Sequence, residues 1–309
     1  MKTRRIISVC MLALVLVGFC QIIGTQAVEE FEDEKQLMQF VEDSRADTLA
    51  VLGMFRKPEE HQEYIDAFTH AEQTFRSYGH EDVTFGRTTR LSEKNKKPKV
   101  FITAPHYADS DHITSMVESL EFNVTNVVRF AFFTLIPPYA KWPEFPSNRG
   151  TVDEVQRANL HAKNDLPKVY VFMLKDGAED YGVRIHQTLE SVGNAVTGFM
   201  VIIHIVVPSK DHSLYLQTAV REGEEKQYMD ALASGRLVII GYDPVSGIRD
   251  AEARFIDTFN AESLLGFCNG FLKLLPEDAQ NGRSPFPIKY FDKRGKNTVG
   301  LGKYSHKEL

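Results

Sequence analysis

The chain has 309 residues, a formal net charge of −6 at neutral pH and 43% hydrophobic residues. This mild acidity argues against a nucleic-acid partner, because such partners are bound by basic surfaces. The length suits two domains of ordinary size better than one.

The first 27 residues have the pattern of a cleaved secretory signal peptide. Lys2, Arg4 and Arg5 precede an almost wholly apolar run over 6–23, and small residues lead up to a cleavage site after Ala27. The run has about the 18–20 residues that a bilayer span needs, so a membrane anchor is the alternative. Cleavage removes three cations and no anion, which takes the net charge to −9 over 282 residues. We expect no membrane association after cleavage.

Cysteine usage is sparse for a chain that enters an oxidising compartment. Cys10 and Cys20 lie in the predicted signal peptide, so the mature chain retains only Cys268 and cannot form a disulfide within itself. Its neighbours at helical spacing are apolar, which predicts a buried, inert thiol. The alternative is an exposed thiol that forms mixed disulfides.

Residues 28–142 alternate between helical and strand patterns and predict a first α/β domain. Helical patterns cover 31–41, 58–78 and 125–136, and strand patterns cover 48–55, 83–85, 100–103 and 119–122. Thr125 is predicted to cap the last of these helices. Pro137 and Pro138 end the domain, and residues 142–146 are predicted to be a linker.

Residues 151–276 repeat this order and predict a second α/β domain. Helical patterns cover 155–162, 179–196, 214–233 and 261–275, and strand patterns cover 166–174, 199–207, 236–242 and 254–256. The continuous apolar run over 199–207 is typical of a strand buried on both faces. The shared element order predicts an internal duplication.

Residues 277–309 are predicted to be a flexible tail that carries a retrieval signal. The last four residues, His306, Lys307, Glu308 and Leu309, are a variant of the Lys-Asp-Glu-Leu tail that a receptor reads in the secretory pathway. Together with the N-terminal pattern, this tail predicts a soluble resident of the endoplasmic reticulum lumen.

Two further motifs bear on ligands and modification. The segment from His106 to His112 holds two His and two Asp, but it lacks the spacing of zinc sites and of EF-hands, so we expect a solvated loop, no metal and no cofactor. Asn123, Val124 and Thr125 form a glycosylation sequon, which predicts a glycan on Asn123.

The order of elements resembles the thioredoxin fold. Residues 31–40 and the strand over 49–55 resemble the b domain of protein disulfide isomerases. The strand led by Leu166 and Pro167, and the run over 236–240, resemble the b′ domain. The resemblance implies an α/β fold of two tandem thioredoxin-like domains, each a mixed sheet flanked by helices.

One departure from that family decides the expected chemistry. Its redox-active members carry Cys-x-x-Cys where the first long strand meets its helix, because exchange needs a low-pKa thiolate and a resolving thiol. Here the matching positions, 56–60 and 175–179, contain no cysteine. We therefore expect no catalytic residue and no dithiol exchange. Pro98 matches the family's cis-proline, whereas the second domain has Gly235 there.

The resemblance also implies a client-binding surface, since the family's b′ domain binds unfolded polypeptide in an apolar groove. The residues predicted to line it are Tyr181, Ile185, Leu189, Leu214, Tyr215 and Leu216. Ordinary core packing is the alternative for each of them. A second set in the tail, predicted to dock over the groove and compete with clients, is Phe286, Ile288, Tyr290 and Phe291.

The function that the resemblance implies is a redox-inactive lumenal chaperone or adaptor. It would hold unfolded or misfolded polypeptides, or deliver them to a redox-active disulfide isomerase. One alternative is a client trap that uses Cys268 as a lone thiol. Another is calcium storage of the calsequestrin type, which the lack of a dense acidic tail disfavours.

Overall fold

A computed structural model describes residues 28–43, 49–91, 97–103, 113–116, 120–142, 160–207, 220, 223–287, 289–291 and 297–299. Several predicted features lie outside these ranges: the signal peptide, the segment His106–His112, Leu214, Tyr215, Leu216, Ile288 and the retrieval signal. Within the described ranges, no helix combines the length and apolarity needed to cross a membrane.

The first sheet has five strands in the order β1-β3-β2-β4-β5. The strands are β1 (Glu29–Phe31), β2 (Ala50–Met54), β3 (Thr84–Thr88), β4 (Lys99–Thr103) and β5 (Ile113–Ser115). The helices are α1 (Glu34–Asp43), α2 (Pro58–Ser77) and α3 (Val124–Leu135). Strands β1 and β2 run parallel to β3, whereas β4 is antiparallel to β2 and β5 is antiparallel to β4.

The second sheet repeats this topology with the order β6-β8-β7-β9-β10. The strands are β6 (Tyr139–Trp142), β7 (Lys168–Leu174), β8 (Val201–Val207), β9 (Arg236–Tyr242) and β10 (Arg249–Phe255). The helices are α4 (Lys175–Ala195), α5 (Glu225–Ala233) and α6 (Ala261–Leu274). Strands β6 and β7 run parallel to β8, and β7, β9 and β10 are successively antiparallel. The predicted class, two tandem thioredoxin-like α/β domains, is confirmed.

Each sheet is covered by helices on both faces, because its central strand is buried on both sides. All five residues of β2 and all seven of β8 are buried, so neither strand has a solvent side. In the first sheet α1 covers one face and α2 with α3 covers the other. In the second sheet α4 and α6 share one face, and α5 packs on the opposite one.

Three local predictions in the first domain are wrong. Residues 139–142 form β6, which pairs with β8 of the second sheet. The first domain therefore ends before the predicted boundary at 142, and Trp142 belongs to a strand rather than to a linker. The strand that follows β4 is β5, at Ile113–Ser115, and not the strand predicted over 119–122. The described residues 120–122 form no strand. Thr125 lies inside α3; the cap is Asn123, whose side-chain oxygen accepts from the Asn126 amide at 2.9 Å. The position of a short strand is determined by the strand with which it pairs, and a local sequence pattern does not reveal that partner.

The predicted flexible tail is also wrong over residues 277–287, which pack against the fold. A short helix α7 (Glu277–Gln280) follows α6, and a two-stranded sheet of β11 (Lys289–Phe291) and β12 (Asn297–Val299) comes later. Between them Phe286 is fully buried in the core of the first domain. A hydrophobic ring that reaches an apolar site gains more by burial than by remaining in a solvated tail.

The cage around Phe286 consists of first-domain rings. Its centroid lies 5.0 Å from that of Phe75, 4.6 Å from Tyr78 and 5.4 Å from both His80 and Phe132. These are the separations of tilted and edge-to-face aromatic pairs, which add to the stability gained by burial alone. The prediction that Phe286 docks over a groove of the second domain is therefore corrected: it fills the first domain.

We expect Phe286→Ala to lower the free energy of unfolding by about 3–5 kcal/mol, the usual cost of emptying a buried phenylalanine site. Leu274→Ala is the control, because Leu274 is an exposed apolar side chain whose truncation leaves no cavity. Urea unfolding of both variants measures the difference. Equal, small effects would contradict the packing of Phe286.

Candidate functional site

The N-terminus of α2 is the position at which a thioredoxin-like redox protein carries its thiols. Here Arg56 Nη1 binds Glu60 Oε2 at 2.6 Å, and the Arg56 amide donates to His61 Nδ1 at 3.0 Å. The hydrogen bond from Arg56 lowers the pKa of Glu60. The helix start thus carries an ion pair between Arg56 and Glu60 in place of a thiol.

The matching place in the second domain is the start of α4. Strand β7 ends at Leu174 and the helix begins at once with Lys175, with no side-chain cap. Among the described residues Cys268 has the only thiol, and it lies on α6, in the core that α6 shares with α4. Burial raises the pKa of Cys268 to about 12, which disfavours the thiolate that disulfide exchange requires. The prediction that the Cys268 thiol is buried is confirmed.

Two of the residues predicted to line the client groove are buried. Ile185 and Leu189 on α4 are 2% and 0% exposed and pack in the core against α6. Leu214, Tyr215 and Leu216 lie outside the described residues, so their part in the groove stays a prediction. For Ile185 and Leu189 the alternative of core packing is correct, and Tyr181 lies on the same helix.

The structure brings polar and titratable side chains together at the junction of the two domains. His80 Nε2 donates to the backbone oxygen of Lys163 at 2.7 Å, and the Tyr78 hydroxyl donates to Asp165 Oδ2 at 3.1 Å. His161 Nε2 lies 3.0 Å from the oxygen of Pro137. Sequence reasoning missed this junction, because its members are far apart in the chain and share no motif.

A buried ion pair fixes the C-terminal side of the same junction. Arg283 Nη1 lies 2.6 Å from Asp243 Oδ1 and also donates to the backbone oxygen of Asp165 at 3.0 Å. The Asp165 amide donates to the oxygen of Pro285 at 2.8 Å. Burial alone would raise the pKa of Asp243, but hydrogen bonds from Arg283 and Ser246 lower it. The pair therefore stays ionised and satisfied inside the protein.

Lys168, the first residue of β7, is buried beside this network. Its Nζ donates to the backbone oxygens of Asn164 and Leu166 at 2.8 and 2.9 Å. Burial lowers the pKa of Lys168 to about 7, against the attraction of Asp165 and Asp243. Its hydrogen bonds hold the turn that leads into the second sheet, so its position is structural and it has no access to a substrate.

A solvent-open cleft lies beside the junction, between the end of α3 and the end of α4. Its lining is apolar on the first-domain side and both polar and apolar on the second: Phe133, Ile136, Pro137, Pro138, Gly193, Asn194, Thr197, Met200 and Val201. The Arg129 guanidinium lies over the Phe133 ring, 5.7 Å from its centroid. We call this cleft the junction cleft; more of the surface exposed in it is polar than apolar, and Phe133 is its half-buried apolar side chain.

Gly193 sets the width of the junction cleft. A β-carbon at this position would lie 2.2 Å from the backbone oxygen of Pro138, far inside contact distance. Helix α4 can therefore approach the Pro137-Pro138 turn only with glycine at this point. The sequence analysis predicted no role for Gly193, because a glycine within a helix has no distinctive pattern.

The remaining predicted sites have simpler outcomes. Asn123 is half-buried and caps α3 through its side-chain oxygen; its glycosylation stays a prediction. Within the described ranges, no three His, Cys, Asp or Glu side chains converge on a common point suited to a metal ion.

No family model and no curated protein matches the sequence. Solved structures similar to the chain include the bb fragment of ERp72, with 19% identity, a TM-score of 0.42, and coverage of 80% of this chain and 96% of that one. The zinc-bound form of human ERp44 has 12% identity, a TM-score of 0.49 and coverage of 84% and 64%. The first two thioredoxin domains of Eps1p from Naumovozyma dairenensis have 10% identity, a TM-score of 0.42 and coverage of 74% and 93%. Because all three TM-scores lie below 0.5, these likenesses carry no argument about this chain.

We expect Gly193→Ala to destabilise the chain, although alanine favours a helix by up to about 1 kcal/mol over glycine. The added methyl meets backbone at Pro138, which cannot rotate away, and overpacking of this kind costs about 1–3 kcal/mol. The control is Gly266→Ala on α6, where a β-carbon meets nothing within 4 Å and should stabilise. Thermal unfolding compares them. Stabilisation of both variants would contradict the close approach.

We also expect the chain to lose stability as the pH falls below about 6.5, the ordinary pKa of histidine. Burial lowers the pKa of His80, and it lowers that of His204 to about 4. The unfolded chain then binds protons that the folded chain does not, so acid favours unfolding. Nδ1 of His80 has no hydrogen-bond partner that could accept from it once it is protonated.

The measurement is urea unfolding of His80→Gln at about pH 7.5 and about pH 6. The variant should lose less stability between the two values than the wild type, with His204 accounting for what remains. The Asp82 carboxyl, whose pKa burial raises, acts in the opposite direction at lower pH. His186→Gln, an exposed histidine, is the control. An unchanged pH dependence in His80→Gln would show that His80 does not control it.

Proposed function

We propose that this protein is a redox-inactive folding factor of the endoplasmic reticulum lumen, related to protein disulfide isomerases, that binds unfolded polypeptide without exchanging disulfides. One observation carries the proposal: both helix starts that hold thiols in a thioredoxin-like oxidoreductase lack them. At α2 the position is taken by the Arg56–Glu60 ion pair, and at α4 by Lys175. The lumenal location rests on the predicted signal peptide and retrieval signal.

The proposed contact surface for a client is the junction cleft. Half-buried Phe133 offers the apolar contact in this cleft, because Ile136 and Met200 also line it but are only 7% and 3% exposed. An unfolded chain exposes apolar side chains that a folded one hides, so a cleft of this kind selects the unfolded state. Delivery of such clients to a redox-active disulfide isomerase would supply the thiols that this chain lacks.

The lone-thiol alternative requires Cys268 to reach a client. Its burial and raised pKa oppose that step. The calcium-storage alternative has no structural observation in its favour among the described residues.

The test is a fluorescence-anisotropy titration of a labelled, aromatic-rich unfolded peptide with residues 28–309. We expect saturable binding with a dissociation constant of about 1 µM, insensitive to salt because it is apolar. Asn194→Trp, which fills the junction cleft, should weaken binding by about tenfold or more. The control is Gln187→Trp, at an exposed position of the same helix that does not line the cleft, and it should leave binding unchanged.

Three outcomes would redirect the proposal. Binding that survives Asn194→Trp would move the client site away from the junction cleft. Binding lost in Cys268→Ser, with a peptide adduct released by reductant, would favour the client trap instead. Absence of binding by the wild type would leave an adaptor for a folded partner.

A further inference from the structure

Strand β10 is the outer strand of the second sheet, and its outer edge is unusually complete. All seven of its residues pair in register with β9, and it contains no proline. In the part of the chain that the structure describes, no other strand pairs with this edge. At its end Phe255 is 64% exposed. A long regular edge with exposed apolar surface is a template for another strand.

The direction of the backbone groups on this edge follows from two hydrogen bonds. The Asp243 amide donates to the Ile248 oxygen at 3.0 Å and so extends the β9–β10 ladder by one pair. The Ala251 amide donates instead to the side chain of Asp250 at 3.0 Å, so it points away from β9. Because antiparallel ladders alternate, even-numbered residues of β10 face β9 and odd-numbered residues face outward. A partner strand must pair with the odd-numbered residues.

We propose that β10 pairs antiparallel with β10 of a second copy of this chain, around a twofold axis at Glu252, so that the two five-stranded sheets become continuous. Only registers that match odd-numbered residues with one another satisfy the outward groups. The register centred on Glu252 is the one that uses all seven residues of each strand. It places Asp250 opposite Arg254 of the second copy, twice by symmetry, and Glu252 opposite its own copy, a single like-charge pair beside which both Arg254 side chains lie.

The alternative registers are worse for charge or for length. An axis at Ala251 would place Asp250 opposite Glu252 twice, and like charges directly opposite are destabilising across strands. An axis at Ala253 would place Arg254 opposite Glu252, but it leaves Arg249 and Asp250 without partners in the second strand. The number of paired residues, rather than charge alone, therefore selects the register centred on Glu252.

The other face of the strand is complementary in the same register. Arg249 lies over the Tyr242 ring at 5.0 Å, and Arg236 lies over the Phe255 ring at 5.8 Å. The pairing brings Arg249 opposite Phe255 of the second copy, so cations and rings alternate across the interface. This contact would cover Phe255, which is 64% exposed among the described residues.

Local contacts hold the edge in the single chain and must be exchanged on pairing. Asp250 gives up the Ala251 amide, and the Tyr228 hydroxyl gives up the Ala251 oxygen, at 3.5 Å a long contact. Arg254 binds Glu252 of its own strand, with Nη2 to Oε2 at 3.1 Å. A guanidinium has five donors, so Arg254 can keep Glu252 and also bind Asp250 of the second copy. This exchange makes the dimer reversible and dependent on concentration.

Sedimentation velocity of residues 28–309 over a concentration series tests the proposal. We expect a monomer–dimer equilibrium that Asp250→Arg or Arg254→Asp weakens by about tenfold. The double variant, which restores opposite charges in the same register, should dimerise like the wild type. Asp66→Arg on α2 is a charge-matched control outside the strand and should change nothing.

Ala253→Pro separates strand pairing from association through side chains. It removes an outward amide and leaves the bonds to β9 in place, which an edge strand tolerates. We expect a monomer whose urea unfolding matches that of the wild-type monomer. A wild type that stays monomeric at about 100 µM, a dimer that survives Ala253→Pro, or a double variant that does not recover would each overturn the proposal. So would a monomeric wild type whose peptide binding is lost in Ala253→Pro, since the edge would then take an extended peptide.

Discussion

The structure depends on one aromatic ring that the chain supplies late. Phe286 follows the last helix of the second domain, yet it completes the core of the first. The core around it also takes in Leu160, Leu166 and Val201, which come from the second domain. Since apolar burial is the main favourable term in folding, a shared core makes the two domains stabilise one another. The tandem is therefore one cooperative structure rather than two separate domains on a linker.

The buried polar groups follow from that shared core. Segments that cross between domains bring backbone groups with them, and these need partners away from water. Arg283 serves Asp243 and the oxygen of Asp165, while Lys168 serves the oxygens of Asn164 and Leu166. A buried ion pair is weak evidence for stability, because desolvation offsets much of the attraction. Its role here is positional: it holds residues 283–286 so that Phe286 enters its cage.

This architecture keeps a thioredoxin-like frame without a thiol at either of its two helix starts. Those starts carry an ion pair and a lysine, and the one described thiol is enclosed where burial raises its pKa. Both proposals made for this protein concern surfaces: the junction cleft, which exists only because two domains meet, and the edge of β10. Gly193 shows how closely the cleft is specified, because a single methyl would separate α4 from the Pro137-Pro138 turn.

The sequence by itself determined the periodic features. Runs such as 199–207 and 236–240 are apolar at every position, so they predict buried strands, and the repeated element order predicts the duplicated fold. Tertiary structure decided what depends on partners distant in the chain. Residues 139–142 join the second sheet because β8 offers them an edge, and Phe286 leaves the tail because four rings form a site for it. Ile185 and Leu189 are enclosed rather than exposed because α6 covers them. Local patterns record the periodicity of burial, whereas the identity of the burying partner is set only when the chain closes on itself.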